Sequence, residues 1–215
     1  MTTSVVIIGA GGFGREVLDV VDAMAASGED VTTLGFVDDG HVDEEVLGRI
    51  DGRLLGGCEV LPDLPSTTRY VVAVGAAQVR RRLVARAEEA GLSPIALIHP
   101  DVTRGRDVEI GPGSVLCAGA RLTTNIRIGA HCHVNLNVTI GHDSVLEDFV
   151  SINPLVAISG NVRISEDTMF GTGSAILQGL TVGRGVSVGG GAVVVRDVEA
   201  GQTVVGIPAK PLRSS

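Results

Sequence analysis

"NLNVTIGHDSVLEDFVSI", residues 135–152, places Ile140, Leu146 and Ile152 six residues apart, with Val138, Ser144 and Val150 two positions before each. Carried both ways from Ile110 to Val194, the same step meets fifteen positions, and every one is Ile, Leu, Val or Phe. Glycine often follows, as at Gly111, Gly129, Gly141, Gly171, Gly183 and Gly189. A helix repeats near 3.6 residues and a strand near 2, so neither sustains this register. A six-residue unit is too short for a helix and its return, but it fits one short strand and one turn. Such units stack into a parallel β-helix whose aliphatic residues lie coil upon coil. An ordinary β-sandwich would instead show a period of two within strands and irregular turns.

Upstream of this repeat the pattern is different. Apolar runs at 4–9, 33–39, 69–75 and 93–100 read as strands, and they alternate with helical spacing. Val17, Val20, Val21 and Met24 mark one helix over 13–27; Val79, Leu83, Val84 and Ala87 mark another over 77–92. Strand–helix alternation with apolar strands predicts a parallel sheet covered by helices. Residues 40–66, rich in Gly, Pro and Asp, read as loop with at most one strand. The expected organisation is a Rossmann-like α/β domain over 1–98 and a β-helix over 99–215.

With 215 residues and 44% apolar content the chain has ample material for a core. Its net charge of −8 argues against nucleic acid or an anionic membrane as partner. No apolar run approaches the roughly 18 residues of a membrane span, and "MTTSVVIIGAGG" lacks the basic start of a signal peptide. Cys58, Cys117 and Cys132 show no CxxC spacing, which fits a reducing cytoplasm without disulfides. "HCH" at 131–133 puts two imidazoles at i and i+2, but no third ligand stands at metal-site spacing, so no metal is expected.

The segments "IIGAGGFGREV" (7–17), "FVDD" (36–39), "LIHP" (97–100), 135–152 and "GGGAVVVRDVEAGQTVVGIPAKPLR" (189–213) together span nearly the whole chain. In them the protein resembles the bacterial sugar acetyltransferases of the sialic-acid O-acetyltransferase type. That group includes N-acetyltransferases of nucleotide-linked 4-amino-4,6-dideoxy sugars. The resemblance implies a left-handed β-helix with three hexads per coil, a homotrimer with active sites between neighbouring prisms, acetyl-CoA as donor and a nucleotide sugar as acceptor. A non-catalytic nucleotide-binding trimer and an O-acetyltransferase of a free sugar are the alternatives.

Acyl transfer from a thioester to an amine or hydroxyl needs a base near neutral pH, and imidazole has the right pKa. His142 is the candidate, and Asp143, which directly follows it, is placed to orient the ring. Eighteen residues on, one coil above in a three-hexad coil, Gly160 can offer its amide to a developing oxyanion; the resemblance implies the same role. It further implies that Asn135 faces the acceptor and that "GTGSAILQG" (171–179), with Gly173 and Ala175, walls the pantetheine arm. Two departures stand out: Ser151 and Phe13 occupy positions where many relatives carry His, near the cofactor and the acceptor respectively.

Gly9, Gly11 and Gly14 spell GxGxxG between a strand and a helix, with Asp38 and Asp39 after the next strand. By itself this is a dinucleotide fingerprint. NAD and a purely structural turn are open readings beside the use that the resemblance implies: the loop, Gly12 and Phe13 included, for the diphosphate of a UDP-sugar, and the two acids for its uridine. The single lysine, Lys210, lies near Arg213, and with Arg184 it is a candidate for the phosphates of CoA.

Overall fold

The computed structural model describes residues 2–212, which leaves Arg213 outside. The chain divides into two compact units, 1–100 and 101–215.

In the first unit β1 (Thr3–Ile8) leads into α1 (Gly12–Ala26) and β2 (Val31–Val37). A short α2 (Glu44–Gly48), β3 (Leu54–Gly56) and a 3-10 turn over Cys58–Asp63 follow. β4 (Arg69–Val72), α3 (Ala77–Glu89) and β5 (Ser93–Pro94) complete it. The sheet is parallel with order β3-β2-β1-β4-β5. Val5 to Ile8 are at most 1% exposed, as a central strand covered on both faces requires. α1 supplies cover with Val17, Leu18, Val20, Val21 and Met24.

Three local expectations change. Residues 93–100 hold two two-residue strands, Ser93–Pro94 and Leu97–Ile98, instead of one. Pro94 has no N–H to carry a ladder onward, and β5 accordingly sits at the sheet edge. Residues 40–66 contain α2 and the 3-10 turn besides the one strand. On α3 the fully buried positions are Arg80, Val84 and Ala87, while Val79 and Leu83 are half-buried. Arg80 is drawn in because its guanidinium donates to the carbonyls of Val74 (2.8 Å) and Gly75 (3.1 Å) in the loop after β4.

The second unit is a left-handed parallel β-helix. From Thr103 to Val194 its two- and three-residue strands form three parallel ladders with partners eighteen residues apart, three hexads per coil. Beyond them Thr203 pairs with Ser187, sixteen residues back, and Lys210–Pro211 closes antiparallel on Thr203–Val205. Leu122, Ile140, Ile158, Ile176 and Val194 stack in one ladder without a slip of register. Fourteen of the fifteen hexad residues are at most 4% exposed. Ile110 is half-buried because its strand begins its ladder and has no coil beneath it.

The corners show a second six-residue period. From Asp107 to Gly191 every sixth residue takes a φ between 55° and 77°. Gly, Asn and Asp hold twelve of these fifteen places, as the left-handed region favours. His131, Phe149 and Leu155 hold the others. His131 and Phe149 stack their rings at 5.0 Å, whereas Leu155 is 61% exposed. Inside the corners small hydroxyls tie coils together: Ser144 Oγ donates to Ser159 O (3.1 Å) and accepts from Val162 N (3.3 Å).

Candidate active site

His142 stands at the corner between the strands Thr139–Ile140 and Val145–Leu146. Asp143 follows with φ 60°, and this turn of the backbone brings its carboxylate to 2.7 Å from the imidazole Nδ1. A carboxylate only accepts, so Nδ1 carries the proton and Nε2 presents a lone pair. The side chain of His142 is 62% exposed, and its Nε2 bonds to none of the described residues. The ring hydrogen bond, and then one from Asn125, holds the Asp143 carboxyl below its ordinary pKa. Asp143 therefore stays ionised wherever His142 can act as a base.

Gly160 covers the ring from the next coil. A Cβ placed there would lie 2.5 Å from Nε2 and 2.7 Å from Cε1 of His142, so the absence of a side chain is what gives the imidazole its place. The backbone is pinned nearby, with Asn161 N donating to His142 O at 2.6 Å. The Gly160 N–H itself has no acceptor among the described residues. One coil further up, at the position equivalent to His142 and Gly160, Gln178 is exposed. The corner thus reads base, gap, amide side chain along the prism axis.

The remaining expected residues lie elsewhere on the prism. Asn135 and Gly173 occupy a different corner, and Asn135 Oδ1 accepts from Leu136 N at 2.9 Å. Ala175 is half-buried in the ladder of Ala157 and Val193. Ser151, expected near the cofactor, is 6% exposed in a ladder between His133 and Met169. Arg184 is already engaged by Asp167 (3.0 Å) and Glu166 (3.5 Å), so its charge is largely offset. Lys210 is exposed on the strand Lys210–Pro211 and has no ion-pair partner among the described residues. "HCH" does not act as a strand pair, because His131 sits in a left-handed corner and stacks on Phe149 while His133 lies in a strand. Among the described residues no group of three or more His, Cys, Asp or Glu could hold a metal ion. A groove of about 440 Å³ lies on another face, lined by Glu109, Arg127, Glu147, Asp148 and Glu166, and does not reach His142.

In the α/β unit, β1 lies between β2 and β4, so the ends of β1 and β4 mark the switch of strand order where such sheets bind ligands. Gly9 ends β1 with φ 111°, and a Cβ on Gly14 would lie 1.9 Å from Gly9 O. Gly11 and Gly12, at the start of α1, face open space, and the first turn carries no acidic residue, so its N–H groups suit an anion. Phe13 is half-buried beside them. Asp38 and Asp39 carry duties not anticipated from the sequence. Asp38 accepts from Ala10 N and Gly40 N, both at 2.8 Å, and so shapes the glycine loop. Asp39 accepts from Cys58 N (2.7 Å) and Arg86 Nη1 (2.5 Å), which lower its pKa. No helix among the described residues is long and apolar enough to cross a membrane.

Comparison with known proteins fits both units. Residues 4–87 match the PglD N-terminal domain family. The chain is 32% identical over 222 aligned residues to the GDP-perosamine N-acetyltransferase of Escherichia coli O157:H7, covering 97% of this chain and 96% of that protein. A histidine-to-asparagine variant of perosamine N-acetyltransferase from Caulobacter crescentus, solved with CoA and GDP-perosamine, superposes with a TM-score of 0.87 at 28% identity, covering 100% of this chain and 99% of that one. The acetyltransferase domain of PglB from Neisseria gonorrhoeae, solved with acetyl coenzyme A, does so with 0.83 at 36% identity, covering 99% of this chain and all of that one.

Proposed function

The chain belongs to the hexapeptide-repeat nucleotide-sugar N-acetyltransferases, which transfer an acetyl group from acetyl-CoA, and we propose that His142 is its general base. The amine of the sugar attacks the thioester carbonyl directly. His142 Nε2 takes the proton from the attacking nitrogen, and Asp143 stabilises the imidazolium through Nδ1–H. The Gly160 amide, free of any acceptor among the described residues, donates to the carbonyl oxygen as it becomes negative. The intermediate collapses by breaking the C–S bond, and the departing CoA thiolate recovers the proton from His142. No acyl-enzyme forms. The observation that carries this reading is the His142–Asp143 contact at 2.7 Å with an open Nε2 beneath Gly160.

The acceptor is a nucleotide-linked amino sugar whose diphosphate lies on the α1 N-terminus at Gly11 and Gly12, with Gly9 and Gly14 shaping the loop and Phe13 beside the sugar. Asp38 and Asp39 support this loop and the nucleoside end. Gly173 and Ala175 wall the pantetheine arm, and Lys210, with Arg184 as a secondary contact, meets the CoA phosphates. Asn135 sits at a different corner of the prism from His142, so a site using both draws them from two chains. We therefore propose a homotrimer with sites between neighbouring prisms, working in the cytoplasm.

The test is free-thiol release from acetyl-CoA by the wild type and His142→Ala, with GDP- and UDP-linked 4-amino-4,6-dideoxy sugars and free sialic acid as acceptors. We expect turnover with a nucleotide sugar and a kcat lower by roughly 10²–10⁴ in the variant. An unchanged kcat overturns the mechanism, and turnover of free sialic acid alone overturns the acceptor.

A further inference from the structure

Asp143 has a second partner besides the catalytic imidazole. Asn125, one coil below and eighteen residues earlier, donates from Nδ2 to Asp143 Oδ1 at 3.0 Å, while Oδ2 meets His142. The orientation of this amide follows from its neighbours. An ionised carboxylate accepts only, so nitrogen must face Asp143. The opposite end, Asn125 Oδ1, lies 3.5 Å from the Thr124 hydroxyl, whose one proton goes to Arg106 O at 2.9 Å. Asn125 N is in turn fixed on Arg106 O at 3.0 Å, and Asp143 N on Thr124 O at 3.1 Å. The backbone at both ends of the contact is therefore fixed, and the amide reaches upward to one carboxylate oxygen. The next acid down the same corner, Asp107, is turned to Arg127 at 2.8 and 3.0 Å and does not compete for it.

From this arrangement, and resting on His142 as the base, we propose that Asn125 is a positioning residue that completes a chain Asn125–Asp143–His142. Asp143 is 49% exposed and its side chain has two torsions of its own, so one contact to an exposed imidazole leaves it free to rotate toward water. The second contact fixes the carboxylate plane, keeps Oδ2 on Nδ1 and so aims Nε2. Asn125 moves no proton. It also sits at one of the left-handed corners, φ 55°, where an asparagine could serve the backbone alone. The experiment must separate the two roles.

Glycine tolerates that backbone as well as asparagine does, so Asn125→Gly removes the donor while leaving the corner intact. We expect kcat to fall about ten-fold, the scale of one hydrogen bond to a charged group, with KM for acetyl-CoA and for the nucleotide sugar within about two-fold of wild type. Asn125→Asp replaces the donor with a like charge against Asp143 and should lower kcat at least as much. Asp143→Ala is measured alone and with Asn125→Gly. Because Asn125 works through Asp143, the second substitution should add nothing in the Asp143→Ala background. Wild-type kcat in Asn125→Gly, or independent, multiplying losses in the double variant, overturns the proposal. His142→Ala run alongside distinguishes the failures: if it too keeps full activity, the base assignment has failed; if it alone is inactive, only the role of Asn125 has.

Discussion

Gly14 in the α/β unit and Gly160 in the prism each lie where one added carbon would collide with a neighbour, and the two differ in what has to give way. The obstacle to Gly14 is backbone, the carbonyl oxygen of Gly9 at 1.9 Å and its carbon at 2.9 Å. The obstacle to Gly160 is the tip of a surface side chain, the His142 ring at 2.5 to 2.9 Å. The first contact holds a helix start against a strand end, so yielding there means moving secondary structure. The second holds only the imidazole, which is anchored to Asp143 at one nitrogen and otherwise exposed. One unit spends its close approach on packing, and the other on aiming a reactive group.

Gly14→Ala should therefore destabilise the protein by about 3 kcal/mol, the range of severe backbone clashes, seen as a lower Tm with the α/β unit melting first. Retention of wild-type Tm would mean that α1 can slide away from Gly9, and the contrast would dissolve. Gly160→Ala should leave Tm nearly unchanged but lower kcat about 10²-fold, roughly 2.7 kcal/mol of activation free energy, because the ring must leave its place. A large loss of Tm with normal kcat would reverse the assignment. Leu155 supplies the mildest case. Its φ of 63° suits asparagine better than leucine, and with 61% of it exposed little burial is lost. Leu155→Asn should raise stability by about 0.5 kcal/mol. A lower stability that depends on protein concentration would instead show that Leu155 packs against a second copy of the chain.

The same two units differ in how far the sequence exposes them. In the prism a single aliphatic step predicts which residues are buried, since each coil repeats the environment of the last. The place of Gly160 one coil above His142 follows from it because eighteen residues separate equivalent positions. Asn125 could have been found by the same step taken backward from Asp143, and Gln178 by taking it forward from Gly160. The duties of Asp38 and Asp39 could not, because their donors at Ala10, Cys58 and Arg86 are brought to them by the folding of separate segments. Arg80 was hidden for a related reason: nothing in "QVRRRLV" says which arginine meets the carbonyls of the loop after β4. The packed position of Ser151 likewise depends on what covers that face, which the hexads do not encode.

The left-handed corner at every sixth residue has a consequence for how such a gene can change. A single deleted residue between Asp107 and Gly191 would push each later side chain one place along its coil. Buried residues such as Val138 and Val150 would then land on left-handed corners, while exposed Thr139 and the residue after each aliphatic position would enter the core. The prism can therefore lengthen or shorten without frustration by whole coils of eighteen codons, or by insertions that balloon outward at a corner and return to the same point. At the corner that carries His142, the first kind of change moves the site along the axis intact, and the second places new chain directly beside the base.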